Sequence, residues 1–290
     1  MGSTVTDRIF SIVIPAKNEA DNLAGLLPAL SELYPAAEII VVNDGSSDNT
    51  IDICQQNKVQ VITHQYSKGN GASIKTGARA ARHDLVVFMD GDGQHQPQDV
   101  GRLLEEMESG MDMVVGARGT KSQASIGRLI ANSVYNKLSS WISGHKIQDL
   151  TSGFRAVKRE KFLKFLYLLP NGFSYPTTCT MAFFRAGYSV AYIPIETAER
   201  QGKSHINIFR DGVRFFVIIF KIGTLFSPLK IFIPFSFSFF LMGFLYYLYT
   251  YLSSHSFTNM GAVLFTASII IFLIGLVSEQ ITTLIYKDSE

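Results

Sequence analysis

The sequence predicts an α/β domain built on a mostly parallel sheet, followed by a helical hairpin that crosses a membrane. Two patterns support this prediction. In the first two thirds of the 290 residues, short runs rich in Val and Ile alternate with stretches of helical spacing, as in strand–helix–strand units. In the last third, residues 231–254 and 256–278 contain no charged side chain, and each run exceeds the roughly 20 residues that span a bilayer as a helix.

Five short apolar runs in the first part are interpreted as buried strands, because they combine β-branched residues with polar flanks. They cover residues 10–14, 38–43, 59–63, 85–89 and 113–115. Helical spacing between these runs predicts helices over residues 22–33, 50–56, 72–82 and 97–109, with Asp48 or Asn49 as a cap. This alternation implies right-handed crossovers and a mostly parallel sheet with helices on both faces.

The two uncharged runs have one alternative interpretation, a pair of long buried helices in a soluble core. Soluble helices of this length rarely lack charge, so we favour a transmembrane hairpin. The predicted divisions are residues 1–205 for the α/β domain, 206–228 for amphipathic juxtamembrane helices and 229–286 for the two spans. Residues 206–226 set Phe and Val against Arg and Lys, which is typical of an interfacial helix, although packing under the α/β domain is the alternative.

The charges that flank the spans predict an orientation. Between residues 200 and 230 there are six Lys or Arg residues and one acid, Asp211, whereas the turn at residues 253–255 has no fixed charge. By the positive-inside rule, both ends of the hairpin and the α/β domain lie on the cytoplasmic side of an integral membrane protein. Residues 1–8 contain no apolar core of a signal peptide.

Composition and charge limit the classes of partner that the protein is expected to bind. The net charge of +2, without a basic and aromatic cluster in the polar part, argues against nucleic-acid binding. The basic residues before the spans suit anionic lipid head groups instead. Cys54 and Cys179 are interpreted as ordinary thiols, because the predicted compartment is reducing and their spacing fits no close Cys pattern.

Polar clusters follow the first, second and fourth predicted strands, at residues 15–19, 44–48 and 90–94. In open parallel sheets, ligands bind outside the carboxyl ends of the strands, so we expect the three clusters to meet at one edge. The cluster at 44–48 could equally be a turn and a helix cap.

The cluster at residues 90–94 places two carboxylates, Asp90 and Asp92, two positions apart at the end of an apolar strand. Two carboxylates so close repel each other unless a positive group lies among them. A divalent cation, Mg²⁺ or Mn²⁺, bound together with substrate phosphates would supply that charge. His95 could be a further ligand, but we interpret it as an exposed or hydrogen-bonding loop residue.

Several motifs together carry a family resemblance. They are IPxxNE at 14–19, VNDGSSD at 42–48, DxDxQ at 90–94, GASIKTG at 71–77, VGAR at 115–118, DLTSGFR at 149–155, RQGKSH at 200–205 and GLVSEQ at 275–280. The first three resemble the inverting glycosyltransferase family 2, which has a GT-A fold. The others resemble the polyprenyl-phosphate glycosyltransferases of that family, including dolichol-phosphate mannose synthases. The resemblance covers nearly the whole chain.

The resemblance implies a pocket for a nucleotide sugar. Its substrate-binding positions would be Pro15, Asn18, Glu19, Asp44, Ser46, Lys75, Asp90, Gly91, Arg200 and Lys203. Asp44 would accept hydrogen bonds from the base or ribose, and Asp90 would lie beside the nucleotide and the metal. Asp92 and Gln94 would hold the metal against the donor diphosphate, where it stabilises the leaving group.

The same resemblance gives catalytic roles to Asp90, Asp92, Arg118 and Arg128. Arg118, Arg128 and Arg200 would gather phosphates, because a guanidinium matches phosphate oxygens and keeps its charge. The family pattern assigns the acceptor phosphate to Arg118 and Arg128, although the match around Arg128 is loose.

Asp149 could act as a base or orient Arg155 and Lys158. A strong base is not required, because a lipid monophosphate is already largely ionised at neutral pH, and electrostatic positioning can carry most of the step.

The implied activity is transfer of one hexose from a nucleotide sugar to a polyprenyl or dolichyl phosphate at the cytoplasmic membrane face. We favour a UDP-sugar donor, with GDP-mannose as the other possibility, and relatives with this hairpin suggest a homo-oligomer. One alternative is a processive polysaccharide synthase, which resembles this family but carries a Gln-x-x-Arg-Trp segment; here the single tryptophan, Trp141, follows Leu-Ser-Ser. Another is a non-catalytic, sugar-nucleotide-binding membrane scaffold, which has no need of Asp90, Asp92 and Gln94.

Overall fold

The computed structural model describes residues 8–119, 126–172, 174–197, 220–221 and 223–287, with side chains in all of these except residues 126–132. The chain divides into two compact units. One consists of Met1–Lys137 and His145–His205, and the other of Leu138–Gly144 and Ile206–Glu290. The boundaries predicted from the sequence at residues 205 and 228 stay predictions, and most of the proposed interfacial helix lies outside the described residues.

A mixed sheet organises the first unit. Its described strands are β1 (Ser11–Ala16), β2 (Glu38–Asn43), β3 (Gln60–Thr63), β4 (Leu85–Phe88), β5 (Met113–Arg118), β6 (Arg155–Lys158) and β7 (Val190–Ile195). They lie in the order β3-β2-β1-β4-β6-β5-β7. All neighbouring pairs are parallel except the two made by β6, which runs against β4 and β5. The predicted, mostly parallel sheet is confirmed.

The five predicted strands are present, and β5 continues to Arg118, beyond its predicted end at residue 115. The sequence analysis missed β6 and β7. Strand β6 has only four residues and begins and ends with a charged side chain, so it lacks an apolar run. Strand β7 contains Pro194, which argues against a central strand but is tolerated here because β7 lies at the edge of the sheet.

Helices connect the described strands. They are α1 (Ala20–Leu33), α2 (Thr50–Gln56), α3 (Asn70–Ala80), α4 (Asp99–Met107), α5 (Ile126–Ser143), α6 (Arg159–Leu163) and α7 (Tyr175–Arg185). The part of α5 from Leu138 onward belongs to the second unit. The first four were predicted, with ends that agree within two residues. Of the two predicted caps of α2, Asp48 is the one whose carboxylate accepts the Thr50 N–H (3.1 Å).

The centre of the sheet is buried on both faces. Every side chain from Ile12 to Ile14 in β1 and from Val86 to Phe88 in β4 has zero exposure, which explains why these strands are apolar without alternation.

The carboxyl ends of β1, β2, β4 and β5 share one edge of the sheet, because these four strands run in the same direction. Because β6 is antiparallel, the segment that precedes it, residues 149–154, lies at that same edge.

The second unit contains two long apolar helices, α8 (Pro228–Ser254) and α9 (Asn259–Tyr286). Their mean hydropathies are 1.8 and 2.6, and only 11% and 17% of their most apolar windows are buried. A core helix of a soluble protein would be mostly buried, so this interpretation is not supported. Length and composition suit a membrane hairpin. Helix α9 begins at Asn259, inside the uncharged run that starts at residue 256, because Thr258 caps its first turn.

Small residues form the contact between α8 and α9. Buried residues recur at every seventh position, Ser236, Gly243 and Thr250 in α8 and Gly261, Ser268, Gly275 and Thr282 in α9. A seven-residue repeat is the pattern of left-handed helix pairs, and small side chains allow close approach of their backbones. The hydroxyls of Ser236 and Ser268 each donate to the other residue's carbonyl oxygen at 2.9 Å. We call this set of seven residues the hairpin seam.

Candidate active site

The loops after β1 and β2 brace each other at the predicted edge. The backbone N–H of Asn18 donates to Oγ of Ser46 (2.9 Å), and the Asn18 side-chain oxygen accepts the Ser47 N–H (2.8 Å). A third bond runs from the Ala20 N–H to the Asp48 carboxylate (3.0 Å). Two of the three predicted clusters are thus joined. Asn18 and Ser46 bind each other's loops, and their contact with substrate stays a prediction.

Asp44 is buried and organises the loop after β3. Its carboxylate accepts hydrogen bonds from His64 Nδ1 (2.7 Å), Ser67 Oγ (2.8 Å) and the backbone N–H groups of Lys68 (2.7 Å) and Gly69 (2.8 Å). Burial alone would raise the pKa of Asp44, but these bonds outweigh it and lower the pKa to about 2. The predicted bond from Asp44 to a base or ribose would have to share oxygens that already have four donors.

Lys75 also contacts its own chain. Its ammonium donates to the Leu169 carbonyl oxygen (3.0 Å) and to the Asn171 side-chain oxygen, which ties α3 to the loop at residues 169–172. Burial and the nearby charge of Arg79 lower the pKa of Lys75. Its predicted role in substrate binding stays a prediction, beside this structural one.

Pro15, Glu19 and Gly91 lie at the predicted edge. A Cβ at Gly91 would lie 3.3 Å from the Pro15 carbonyl oxygen, so the loop after β4 passes close to the end of β1. The Glu19 carboxylate accepts a bond from the Asn22 side-chain amide (2.6 Å) at the start of α1. The three strand-end clusters therefore converge as the sequence predicts.

The carboxylates after β4 meet His95, which the sequence predicts to be an exposed or hydrogen-bonding loop residue. It lies in a loop but is buried, so the exposed alternative is wrong. His95 is 6% exposed and stacks on Phe154, with ring centroids 4.8 Å apart and planes 15° apart. Its Nε2 lies 3.8 Å from Oδ2 of Asp90, and its buried Nδ1 has no hydrogen-bond partner among the described residues. The ring is buried because the segment before β6, which was not predicted, supplies Phe154.

Arg118, at the end of β5, lies in the same site. Its Nε donates to Oδ2 of Asp149 (2.8 Å), and its Nη2 donates to Oδ1 of Asp149 (3.0 Å) and to Oγ1 of Thr151 (2.6 Å). Burial lowers the pKa of Arg118, but the bond to Asp149 and the charges of Asp149, Asp90 and Asp92 raise it overall. The structure thus brings Arg118 within the electrostatic reach of both strand-end aspartates.

The partner of Asp149 differs from the expected ones. The sequence analysis considered Arg155 and Lys158, yet Lys158 pairs with Asp112 (2.8 Å) and Asp149 pairs with Arg118. This difference has a topological reason. Lys158 lies at the far end of the antiparallel strand β6, away from the edge that holds Asp149.

Arg155 fixes the segment before β6 from within the core. It has zero exposure, and its guanidinium donates to the carbonyl oxygens of Ser152 and Pro176 (3.0 Å for Pro176) and to Oγ1 of Thr180 (3.1 Å). No carboxylate among the described residues forms an ion pair with it. These bonds fix the position of the preceding residue pair, Gly153 and Phe154.

Gly153 lies directly against Asp90. A Cβ added at Gly153 would lie 2.8 Å from Oδ2 of Asp90, so only glycine permits this approach. Its carbonyl oxygen accepts a bond from the Tyr175 hydroxyl (3.1 Å). Sequence reasoning missed this contact, because Gly153 precedes a strand that runs in the unexpected direction.

The oxygen atoms after β4 suit a hard divalent cation that takes some of its ligands from the protein and the others from a substrate. Oδ1 of Asp92 accepts the backbone N–H of Gln94 (3.2 Å), which places a carboxylate and an amide oxygen on one turn. The described residues contain no group of three or more His, Cys, Asp or Glu side chains able to hold a metal alone. Oxygen ligands completed by phosphate oxygens are the usual environment of Mg²⁺ and Mn²⁺. The Arg128 side chain, Arg200 and Lys203 lie outside the described part of the chain.

Two family models match the chain. The model of glycosyl transferase family 2 matches residues 11–166, and that of the GtrB C-terminal hairpin matches residues 227–284. The first covers β1 to α6, including every described strand-end cluster. The second covers α8 and nearly all of α9.

Similar proteins agree with these matches. The polyprenol monophosphomannose synthase of Mycolicibacterium smegmatis is 29% identical over 205 residues, 66% of this chain and 77% of the relative. The undecaprenyl-phosphate mannosyltransferase of Micrococcus luteus is 26% identical over 230 residues, 69% of this chain and 93% of the relative.

Among solved structures, glucosyl-3-phosphoglycerate synthase from Mycobacterium tuberculosis, in complex with Mn²⁺, UDP-glucose and phosphoglyceric acid, matches with a TM-score of 0.58. Its sequence identity is 20%, and the match covers 74% of this chain and 79% of that one. This likeness concerns the fold. With a family model that spans more than half of its length, the chain belongs to glycosyltransferase family 2, as a glycosyltransferase of GT-A fold with a GtrB C-terminal hairpin.

Proposed function

We propose that this enzyme transfers a single hexose from a nucleotide sugar to the phosphate of a polyprenyl lipid. The observation that carries the proposal is the arrangement of Arg118 with the strand-end aspartates. The Arg118 guanidinium, to which the proposal assigns a phosphate, lies within electrostatic reach of Asp90 and Asp92, in a chain that also has a hairpin suited to a membrane. The relatives named for polyprenol and undecaprenyl phosphate support this acceptor class.

In the proposed mechanism, an oxygen of the lipid phosphate attacks the anomeric carbon of the sugar. The new carbon–oxygen bond forms as the bond to the nucleotide diphosphate breaks, and the configuration inverts. The phosphate is already largely ionised near neutral pH, so no proton has to be removed by the protein. Arg118, with Arg128 and Arg200 as further candidates, holds phosphate oxygens in line for the attack.

On the donor side, Asp92 and Gln94 would hold a divalent cation, Mg²⁺ or Mn²⁺, and Asp90 would lie beside the nucleotide and the cation. When bound, the cation supplies Lewis-acid stabilisation of the departing diphosphate. Pro15, Asn18, Glu19, Asp44, Ser46, Lys75, Gly91 and Lys203 complete the proposed nucleotide-sugar pocket. We favour UDP over GDP as the nucleotide, and the cytoplasmic side as the face on which the α/β domain works.

The test is a transfer assay on the full chain in detergent, with a panel of radiolabelled UDP- and GDP-sugars and a short polyprenyl phosphate. We expect one organic-extractable glycolipid that carries one sugar. Chelation of divalent cations and the variant Asp92→Ala should each abolish formation of the glycolipid. The thermal unfolding temperature of the variant should stay near that of the parent. A long water-soluble polymer would point to a processive synthase, and no transfer with any donor would point to a binding scaffold.

A further inference from the structure

We propose that Asp149 is a positioning residue, which acts through Arg118 by holding the guanidinium in the orientation that receives the acceptor phosphate. This inference rests on the proposed function, in which Arg118 binds that phosphate. It differs from the role of general base considered for Asp149 on sequence grounds, because a positioning residue does not exchange a proton with the substrate.

The geometry of the guanidinium supports this inference. The Asp149 carboxylate accepts bonds from the edge formed by Nε and Nη2, at 2.8 and 3.0 Å. Oγ1 of Thr151 accepts a further bond from Nη2 at 2.6 Å. Nη1 donates to no described residue, so its two protons remain for an incoming anion. A guanidinium held on two sides in this way loses little further rotational freedom when a phosphate arrives, and this lowers the entropic cost of binding.

Asp149 is itself rigidly held. The residue is 5% exposed, and Oδ1 also accepts the backbone N–H groups of Thr151 (3.1 Å) and Ser152 (3.1 Å). The Arg118 backbone N–H donates to Oδ2 at 3.2 Å, so the same carboxylate fixes both the main chain and the side chain of Arg118.

This environment disfavours Asp149 as a base. Burial alone would raise the pKa of Asp149, but the bonds from Arg118 and the loop N–H groups lower it overall. A carboxylate with a lowered pKa, whose oxygens already accept these bonds, is a weak proton acceptor. The described contacts of Asp149 orient Arg118.

A matched control lies at the opposite end of the same strand. Asp112 directly precedes β5, whereas Asp149 contacts Arg118, the last residue of β5. Asp112 is 6% exposed, and it pairs with Lys158 and Lys161, both at 2.8 Å. Asp112→Asn therefore removes a buried, paired carboxylate without touching the proposed site.

The experiment measures kcat and the KM of each substrate for Asp149→Asn, Arg118→Ala, the double variant and Asp112→Asn, using the full chain in detergent. Since a hydrogen bond between charged groups is worth on the order of tenfold in binding, we expect Asp149→Asn to raise the acceptor KM by about tenfold. The donor KM should not change. The double variant should match Arg118→Ala, because Asp149 has no effect once its target is absent. Asp112→Asn should leave both KM values unchanged.

Three results would overturn the inference. One is a loss of kcat in Asp149→Asn with an unchanged acceptor KM, which would indicate a base. Another is an additive effect in the double variant. If Asp149→Asn does not fold, Thr151→Val is the second variant. It removes the hydroxyl that accepts from Arg118 Nη2 (2.6 Å) and donates to Asp149 Oδ1 (3.1 Å), and it should raise the acceptor KM by a smaller factor. An unchanged acceptor KM in this variant would be the third result.

Failure of the proposed function gives a different result. If Arg118→Ala leaves the acceptor KM unchanged, the assignment of Arg118 to the acceptor phosphate is wrong, and the role of Asp149 is wrong with it. If Arg118→Ala raises the acceptor KM and Asp149→Asn does not, the positioning role alone is wrong.

Discussion

At the scale of single residues, several polar side chains at the sheet edge that holds the strand-end clusters form hydrogen bonds with neighbouring loops. Asn18 and Ser46 join the loops after β1 and β2, and Asp44 gathers four donors around the loop after β3. A pocket for a flexible, charged nucleotide sugar benefits from such loops, because pre-organised groups do not have to be ordered when the ligand binds. The shape of the pocket therefore depends on residues that need not touch the ligand.

Asp44 offers a test of this view through pH. Its pKa is about 2, compared with 3.8 in an unfolded chain, so its contribution to folding is complete above about pH 4 and is lost as the pH falls towards 2. The shift corresponds to about 2 kcal/mol. We expect Asp44→Asn to lower the thermal unfolding temperature at pH 6, and the difference from the parent to shrink as the pH falls from 4 towards 2.

The exposed carboxylate Asp84 provides the control, and Asp84→Asn should change the unfolding temperature little at either pH. A loss in Asp44→Asn that stays constant from pH 6 to pH 2 would mean that the charge of Asp44 does not hold the loop.

At the scale of elements, the sequence predicts strands that carry an apolar run and several helices that show helical spacing. Strands β1 to β5 and helices α1 to α4 follow from apolar runs and helical spacing, and the convergence of the strand-end clusters follows from parallel topology. Strand β6 could not be predicted, because its four residues carry no pattern of their own. Its direction depends on contacts with β4 and β5, more than 30 residues away. The environment of His95 and the partner of Asp149 depend on β6, so the sequence missed both.

The hairpin seam gives a prediction at this scale. A Cβ at Gly275 would lie 2.7 Å from Cβ of Phe232, so Gly275→Leu should force α8 and α9 apart. We expect a lower thermal unfolding temperature in detergent. Val277→Leu places the same leucine side chain on the same helix at a residue that is 60% exposed, and it should have no such effect. Equal behaviour of the two variants would show that the seam does not hold the hairpin together.

At the scale of the whole molecule, the chain combines a catalytic domain with a hairpin that has the length and composition to cross a membrane. The proposed lipid acceptor would account for this combination. The phosphate of a polyprenyl lipid lies at the membrane surface while its tail stays in the bilayer. With that acceptor the enzyme would work at the membrane surface, and we propose the cytoplasmic side because of the basic residues before the spans.

Cysteine labelling in intact cells can measure the orientation. Cys54 and Cys179 both have zero exposure, so the native thiols should give little background. We expect Ser256→Cys, in the turn between the spans, to react with a membrane-impermeant maleimide added outside. Lys287→Cys should react only after the membrane has been opened. Labelling of Lys287→Cys first, with Ser256→Cys protected, would reverse the proposed orientation.

The position of β6 has a consequence for how the enzyme matures. In the described sheet, β6 alone joins the half that contains β1 to β4 to the half that contains β5 and β7. Asp90 and Arg118 leave the ribosome before Asp149 and Gly153, so they meet these partners only when β6 enters between β4 and β5. The contacts of β6 with β4 and β5 are long-range in sequence, and contacts of this kind slow folding. We therefore expect a newly made chain to gain its last central strand and its catalytic competence in the same step, so that partly folded molecules consume no donor sugar.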